Sequence, residues 1–83
     1  RLTFRQEIDV RGFRANEAVD AVAYFVDEAL QLGVSSVRIL HGTGTGALRE
    51  SIRTYLSGVR GVQHVRDEDV RFGGAGITVV EME

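Results

Sequence analysis

Two stretches of the chain place apolar residues at helical spacing. The first runs from Ala15 to Leu32, where apolar residues recur every three or four positions and acidic residues occupy the opposite side. Asn16 is the best N-cap by residue type, and Gly33 is a natural stop. The second runs from Ala47 to Ser57 and ends at Gly58. The pattern therefore predicts a long and a shorter amphipathic helix.

Four other segments have the alternation or the β-branched content of strands. In the first of them, Ile8 and Val10 lie on one face, whereas Asp9 and Arg11 lie on the other. This alternation predicts a strand with one buried side. The predicted strands are Arg5–Val10, Ser36–Leu40, Val62–Arg66 and Ile77–Met82.

The order of these elements, β-α-β-α-β-β, predicts an α/β fold. Crossovers of this length join parallel strands with right-handed connections, so each crossover is expected to link neighbouring strands. Two helices can cover only one face of a four-stranded sheet. We therefore expect residues 1–83 to form a single two-layer sandwich with a mixed sheet, with Asp9 and Arg11 on its uncovered face.

Composition narrows the class of protein without deciding it. The chain has no Cys, which excludes disulfides and thiolate metal ligands and fits a reducing compartment, so a cytoplasmic location is expected. No apolar run is long enough for a membrane segment. The chain begins with Arg rather than Met, as expected for a part of a longer protein. A net charge of −2 disfavours a generally basic nucleic-acid binder, although all ten positive residues are Arg.

A glycine-rich loop follows the second predicted strand and leads into the second helix. Glycine permits positive φ and close backbone approach, and the N–H groups at a helix start can bind phosphate. The candidate phosphate-binding residues of this loop are Gly42, Thr43, Gly44, Thr45 and Gly46. The loop lacks the Lys of a Walker A motif and is one residue short of a dinucleotide fingerprint. A tight turn with a capping His is the alternative interpretation.

Three side chains near this loop could carry chemistry. His41 lies at the tip of the second strand, and the end of the first strand should lie beside it, which would bring Asp9 and Arg11 close to His41. In phosphodiester cleavage, His41 could act as general acid or base and Arg11 could neutralise developing charge. Asp9 could orient His41 or hold a divalent cation, Mg²⁺ or Mn²⁺.

Other polar residues give weaker predictions. Arg49 and Arg53 lie one turn apart on the second helix and could extend a track along a nucleic-acid backbone, although a solvated face explains them equally simply. The acidic run from Asp67 to Asp69 is expected to be a solvated turn. No aromatic platform for stacking bases is expected.

The motifs Ile8–Gly12 and His41–Gly46, with the helix opening at Asn16–Ala18 and the segment Gly73–Val80, resemble the Smr (small MutS-related) domain. The resemblance covers residues 6 to 82 in order. Arg at position 11, where other branches have His, resembles the branch at the C-terminus of bacterial MutS2 proteins. The resemblance to the Smr domain implies a fold similar to the C-terminal domain of bacterial translation initiation factor 3.

The resemblance also implies a function. It suggests a nicking endonuclease domain, attached to MutS-like ATPase domains and linked to suppression of homologous recombination through branched DNA. It further implies Asp9, Arg11 and His41 as catalytic residues. Because residue 11 is Arg here, the proton-transfer role would fall on His41 alone. The alternative is a binding module that grips branched DNA or ribosomal RNA, as in ribosome rescue, without cutting.

Overall fold

The computed structural model describes residues 4–83, which form a four-stranded mixed sheet with two helices packed on one face. This architecture confirms the predicted α/β fold, and the predicted ends of every element lie within two residues of those observed. In chain order, the elements are β1 (Glu7–Asp9), α1 (Ala15–Gln31), β2 (Ser36–Leu40), α2 (Ala47–Leu56), β3 (Val62–Asp67) and β4 (Ile77–Met82).

The strands lie in the order β1-β2-β4-β3. β1 and β2 are parallel neighbours, as predicted, whereas β4 pairs antiparallel with both β2 and β3. The expectation that the second crossover also links neighbouring strands is therefore wrong. Four successive residues of β4, Ile77–Val80, are buried, while β3 is mostly exposed. The apolar strand gains most from a central position, and the polar strand tolerates the edge.

The core lies between the sheet and the two helices. α1 contributes Val22 and Val26, α2 contributes Ile52, and β2 contributes Ile39, all without solvent exposure. Of the helices in residues 4–83, none combines the length and the apolarity that crossing a membrane requires.

Helix α1 begins at Ala15, as its apolar period predicted. Its N-cap is Arg14 rather than Asn16. The carboxylate of Glu17 accepts a hydrogen bond of 3.4 Å from the backbone N–H of Arg14, and this bond satisfies a donor at the helix start. Asn16 therefore lies inside the first turn.

The segment between β3 and β4, residues 68–76, folds over the uncovered face of the sheet in two short 3₁₀ turns. The guanidinium of Arg38 on that face donates to the carboxylate of Glu68 at 2.8 Å and to the carbonyl of Phe72 at 3.2 Å. A Cβ atom at Gly73 would lie 2.3 Å from Cδ1 of Ile77. The segment is therefore held close to the sheet by Arg38 and by a glycine that allows this approach.

Candidate functional site

The loop His41–Gly46, called the glycine loop below, is shaped by left-handed backbone at Gly42 (φ +81°), Gly44 (+37°) and Gly46 (+84°). The carbonyl of Gly76 accepts hydrogen bonds from the N–H groups of His41 (3.1 Å) and Gly42 (2.9 Å). The segment 68–76 therefore supports the glycine loop from behind, which agrees with the glycine-rich sequence at that position.

Several backbone N–H groups of this region point to no protein acceptor. Within residues 4–83, no acceptor is found for the N–H groups of Thr43, Gly44, Thr45, Leu48 and Arg49. Two of the five belong to the first turn of α2, where the helix dipole adds partial positive charge. Unpaired N–H groups on a glycine-rich turn at a helix start favour an anion, and phosphate is the anion that best matches this arrangement.

The glycine loop forms one wall of a pocket of about 360 Å³, called the glycine-loop pocket. The connection between β1 and α1 also lines the pocket, through Gly12, Phe13 and Ala15. The aromatic side chain of Phe13 is 43% exposed. The sequence led us to expect no aromatic platform for stacking bases, but the structure places one exposed aromatic residue in the same pocket as the glycine loop.

Asp9 and Arg11 form an exposed ion pair at the end of β1. The Nε and Nη2 atoms of Arg11 donate to the two carboxylate oxygens of Asp9 at 2.9 and 2.6 Å, and the backbone N–H of Arg11 donates at 3.1 Å. These hydrogen bonds lower the pKa of Asp9 to about 2. Asp9 is therefore an anion at neutral pH, and its main structural effect is to orient Arg11.

The position of this pair distinguishes it from another pair with the same geometry. Asp69 and Arg71 make the same three hydrogen bonds at 2.9–3.0 Å, on the segment 68–76. Arg11, however, lies against the glycine loop, since a Cβ atom at Gly42 would be 3.6 Å from its Cγ. The side-chain stem of Arg11 thus contacts the glycine loop while Asp9 holds its guanidinium, and 61% of the side chain is exposed.

His41 is buried, with 5% of its surface exposed. Its Nδ1 lies 2.8 Å from the carbonyl oxygen of Gly42, which can only accept, so Nδ1 carries the proton. The hydroxyl of Thr78 then donates to Nε2 across 2.7 Å. Burial, together with the nearby positive charges of Arg53 and Arg49, lowers the pKa of His41. The ring is therefore neutral at pH 7, with both nitrogens engaged.

The side chains of Asp9 and Arg11 do not meet the ring of His41. Asp9 pairs with Leu40 in the parallel ladder, so the strand ends are neighbours as predicted. Side chains alternate along a strand, however, and His41 follows Leu40 onto the face covered by the helices. The sequence correctly predicted that the two strands are adjacent. The expected cluster of Asp9, Arg11 and His41 is wrong, because the alternation places His41 on the other face of the sheet.

Arg49 and Arg53 share one carboxylate. Their Nη2 atoms lie 2.9 and 2.6 Å from the same oxygen of Asp67. Arg53 also donates through Nε to the hydroxyl of Thr78 at 3.2 Å. The two arginines therefore do not form a simple solvated face, and Asp67 belongs to an ion-pair network rather than to a solvated turn.

Thr78 is the residue of this network that sequence reasoning missed. It is fully buried, and it accepts from Arg53 while donating to His41. The available signal was a single hydroxyl within the apolar run of β4. A buried hydroxyl requires partners, so this position could have indicated a polar contact without identifying the partners.

The described residues do not form a protein-only metal site. Within residues 4–83, no three His, Asp or Glu side chains converge closely enough to hold an ion. Near the pocket, both oxygens of Asp9 are already bonded to Arg11. The donor set therefore does not match the expected Mg²⁺ or Mn²⁺ cofactor.

Comparison with known proteins identifies the family. The family model described as the Smr domain matches residues 8–83, which is nearly the whole chain. The chain belongs to the Smr domain family. Two relatives named endonuclease MutS2 are similar to this Smr domain: that of Listeria innocua is 42% identical over 79 residues, and that of Bacillus cytotoxicus is 43% identical over 77 residues. These matches cover 95% and 93% of the chain but only 10% of each relative.

Solved structures agree with this assignment. The Smr domain of Thermus thermophilus MutS2 superposes with a TM-score of 0.90 at 42% identity, covering 94% of this chain and 98% of the other. YdaL, a stand-alone small MutS-related protein from Escherichia coli, superposes with a TM-score of 0.88 over 94% of this chain and 64% of its own. At 23% identity, the YdaL match shows a shared fold only. The similarity to MutS2 domains is thus one of both sequence and fold.

Proposed function

We propose that this Smr domain is a nicking endonuclease domain that cleaves phosphodiester bonds in DNA. The observation that carries the proposal is the glycine-loop pocket with its unpaired N–H groups, together with Arg11, whose side-chain stem contacts the glycine loop at Gly42. A charged arginine beside backbone donors is suited to a phosphate whose negative charge grows in the transition state. The name of the MutS2 relatives, endonuclease, agrees with this chemistry.

Each candidate residue has a distinct role in the proposal. The N–H groups of the glycine loop bind the phosphate oxygens, and Arg11 stabilises the charge that develops during cleavage. Asp9 holds the guanidinium of Arg11 in place. His41 positions the glycine loop through its bond to Gly42, and it would have to break an existing hydrogen bond before transferring a proton.

The direct test is nicking of supercoiled plasmid by the purified domain and its variants. Arg11→Ala should reduce nicking by roughly 100-fold, the usual effect of removing one donor to a transition-state oxyanion. Asp9→Asn should reduce it less, because Arg11 keeps its charge but loses its fixed orientation. Full nicking by Arg11→Ala would refute the assignment.

The chain provides a matched control. Arg71→Ala and Asp69→Asn remove an ion pair of the same local geometry that lies on the segment 68–76. These variants should nick as fast as the wild type, since Arg11 is within 4 Å of a Cβ atom placed at Gly42 of the glycine loop, whereas neither Asp69 nor Arg71 is. Equal losses in both sets would indicate a general effect of charge on binding rather than a site at Arg11.

A second candidate function is binding without cleavage. The buried ring of His41 and the lack of a three-ligand metal cluster in residues 4–83 favour a module that grips branched DNA or ribosomal RNA. Such a module would show salt-dependent binding and no cleaved product. The plasmid assay with and without EDTA separates the two functions, and it also tests whether cleavage needs a divalent cation.

The wider role is proposed from the relatives. A chain that spans a tenth of the length of MutS2 would act beside other domains of a longer protein, which we propose to be MutS-like ATPase domains. Cleavage of branched DNA there would suppress homologous recombination. A cytoplasmic location remains a prediction of the composition.

A further inference from the structure

One aromatic side chain, that of Phe13, lines the glycine-loop pocket together with the unpaired N–H groups' own residues. Phe13 lines the pocket and exposes 43% of its surface. It lies in the connection from β1 to α1, where its backbone N–H donates to the carbonyl of Val10 at 3.1 Å. The core packs mainly through other residues, and Phe13 is not part of it. A phenylalanine in this position presents a ring to whatever enters the pocket.

We propose that Phe13 stacks on an unpaired base whose own phosphate is held by the glycine loop. This inference rests on the proposed function, because it assumes that the pocket binds a nucleic-acid phosphate. It adds the class of substrate: nucleic acid in which at least one nucleotide is unpaired or displaced from its stack.

These two parts of the pocket lining match the two halves of a nucleotide. Backbone N–H groups of Thr43–Thr45 and of the first turn of α2 offer donors to phosphate oxygens. The ring of Phe13 offers a flat apolar surface, on which any base can stack. A volume of about 360 Å³ lies in the range of small-ligand pockets. A base within a duplex is stacked on its neighbours and cannot present its face to this ring.

Binding measured without cleavage tests the proposal. A short fluorescein-labelled oligodeoxynucleotide, single-stranded or annealed to its complement, is titrated with the 83-residue chain in EDTA, with anisotropy as the readout. Phe13→Leu should weaken binding of the single strand by roughly 5- to 150-fold, which is the range for losing one base–aromatic stack. Binding of the duplex should remain unchanged. Titration of an RNA strand of the same sequence shows whether the affinity depends on ribose or deoxyribose.

Two further measurements exclude a folding effect. Phe13→Leu keeps an apolar side chain of similar size, and its thermal unfolding should resemble that of the wild type. Phe13→Trp should preserve binding and place one indole in a chain without Trp, so that stacking quenches its fluorescence. Tyr24→Trp is the matched control, because Tyr24 is 79% exposed on α1 and does not line the pocket; no quenching is expected there.

The outcomes separate this inference from the function on which it rests. Single-strand binding by Phe13→Leu as tight as that of the wild type would overturn the inference alone, even if plasmid nicking is observed. Failure of the wild type to bind any nucleic acid would overturn both. The wild type should bind a strand with one abasic position more weakly than the intact strand. Phe13→Leu should bind the two strands equally, since it has no stack to lose.

Discussion

The ring of His41 is fixed at both nitrogens. Gly42 accepts from one, Thr78 donates to the other, and Arg53 in turn donates to Thr78. Burial and the nearby charges of Arg53 and Arg49 keep the imidazole neutral by lowering its pKa, and the chain of bonds holds the first glycine of the loop. A histidine at the end of a strand before a glycine loop could serve either catalysis or loop geometry, and its surroundings here favour the second.

The environment of His41 predicts a dependence of stability on pH. Its pKa in the folded domain lies below the ordinary value of 6.5, so the unfolded chain takes up the proton first. The free energy of unfolding should therefore fall as the pH drops below about 6.5. Urea unfolding should show this loss in the wild type and a flatter dependence in His41→Gln, whose side chain does not titrate.

Carboxylates are a separate source of acid sensitivity. The pKa of Asp9 is lowered to about 2, so its contribution to the free energy of unfolding is lost only in stronger acid. The difference between the wild type and His41→Gln should therefore develop before the carboxylates titrate. A wild-type stability that stays constant down to about pH 5 would contradict the assigned state of His41.

The type and position of the candidate site residues were readable from the sequence, but their surroundings were not. Alternation in β1 correctly placed Asp9 and Arg11 on an exposed face. The burial of His41 depends on Thr78, which lies 37 positions further along and reaches it only through the pairing of β2 with β4. Local patterns carry no information about such a contact.

At the scale of elements, α2 and the end of β3 are linked by charge. Asp67 at the end of β3 accepts from both Arg49 and Arg53 of α2, and these hydrogen bonds lower its pKa. It therefore neutralises part of the positive charge beside the glycine-loop pocket. Repulsion between the two arginines is relieved within the domain rather than by a bound anion.

Removing this carboxylate should strengthen nucleic-acid binding. Asp67→Asn is expected to raise the affinity for a single strand roughly two- to fivefold at low salt, in line with the energies of exposed ion pairs. Anisotropy titrations measure the change. Asp69→Asn is the matched control, because its partner, Arg71, lies outside the glycine-loop pocket. Unchanged or weaker binding by Asp67→Asn would contradict this account.

The segment 68–76 provides a test of packing between elements. Gly73 and Gly74 both have positive φ, but only at Gly73 would a Cβ atom collide with Ile77. Gly73→Ala should lower the free energy of unfolding by about 1–3 kcal/mol. Gly74→Ala introduces backbone strain without a collision and should lower the free energy of unfolding by about 1 kcal/mol. Chemical denaturation measures both, and equal losses would show that the contact with Ile77 is unimportant.

Elements could be predicted more reliably than their arrangement. The apolar period of α1 and the β-branched run of β4 are local patterns, and both were located within one residue of the observed ends. The place of β4 between β2 and β3 depends on how much surface each strand buries in the complete sheet. Alternation within a strand shows which face is buried, but it does not show which strands lie beside it.

For the molecule as a whole, the net charge of −2 limits how nucleic acid can be bound. Positive charge near the glycine-loop pocket is concentrated at Arg11 and at the two arginines that share Asp67. We therefore expect binding to depend on a few local contacts at the pocket.

Salt dependence measures the number of these contacts. For a single strand, each neutralised phosphate contributes about −0.7 to the slope of log K against log salt, so one to three contacts predict a slope of about −0.7 to −2. Arg11→Ala should make the slope less negative by about 0.7, the contribution of one phosphate contact. A much steeper slope in the wild type would show that binding extends beyond the proposed pocket.

The central position of β4 has a consequence for synthesis on the ribosome. β1, β2 and β3 emerge before the strand that connects two of them, so β3 has no paired strand until Ile77–Met82 has left the exit tunnel. Only the parallel pair β1–β2 and its helix can form early. The nascent domain therefore exposes unpaired strand edges for most of its translation. Chaperones recognise such edges, and the exposure ends when β4 inserts between β2 and β3.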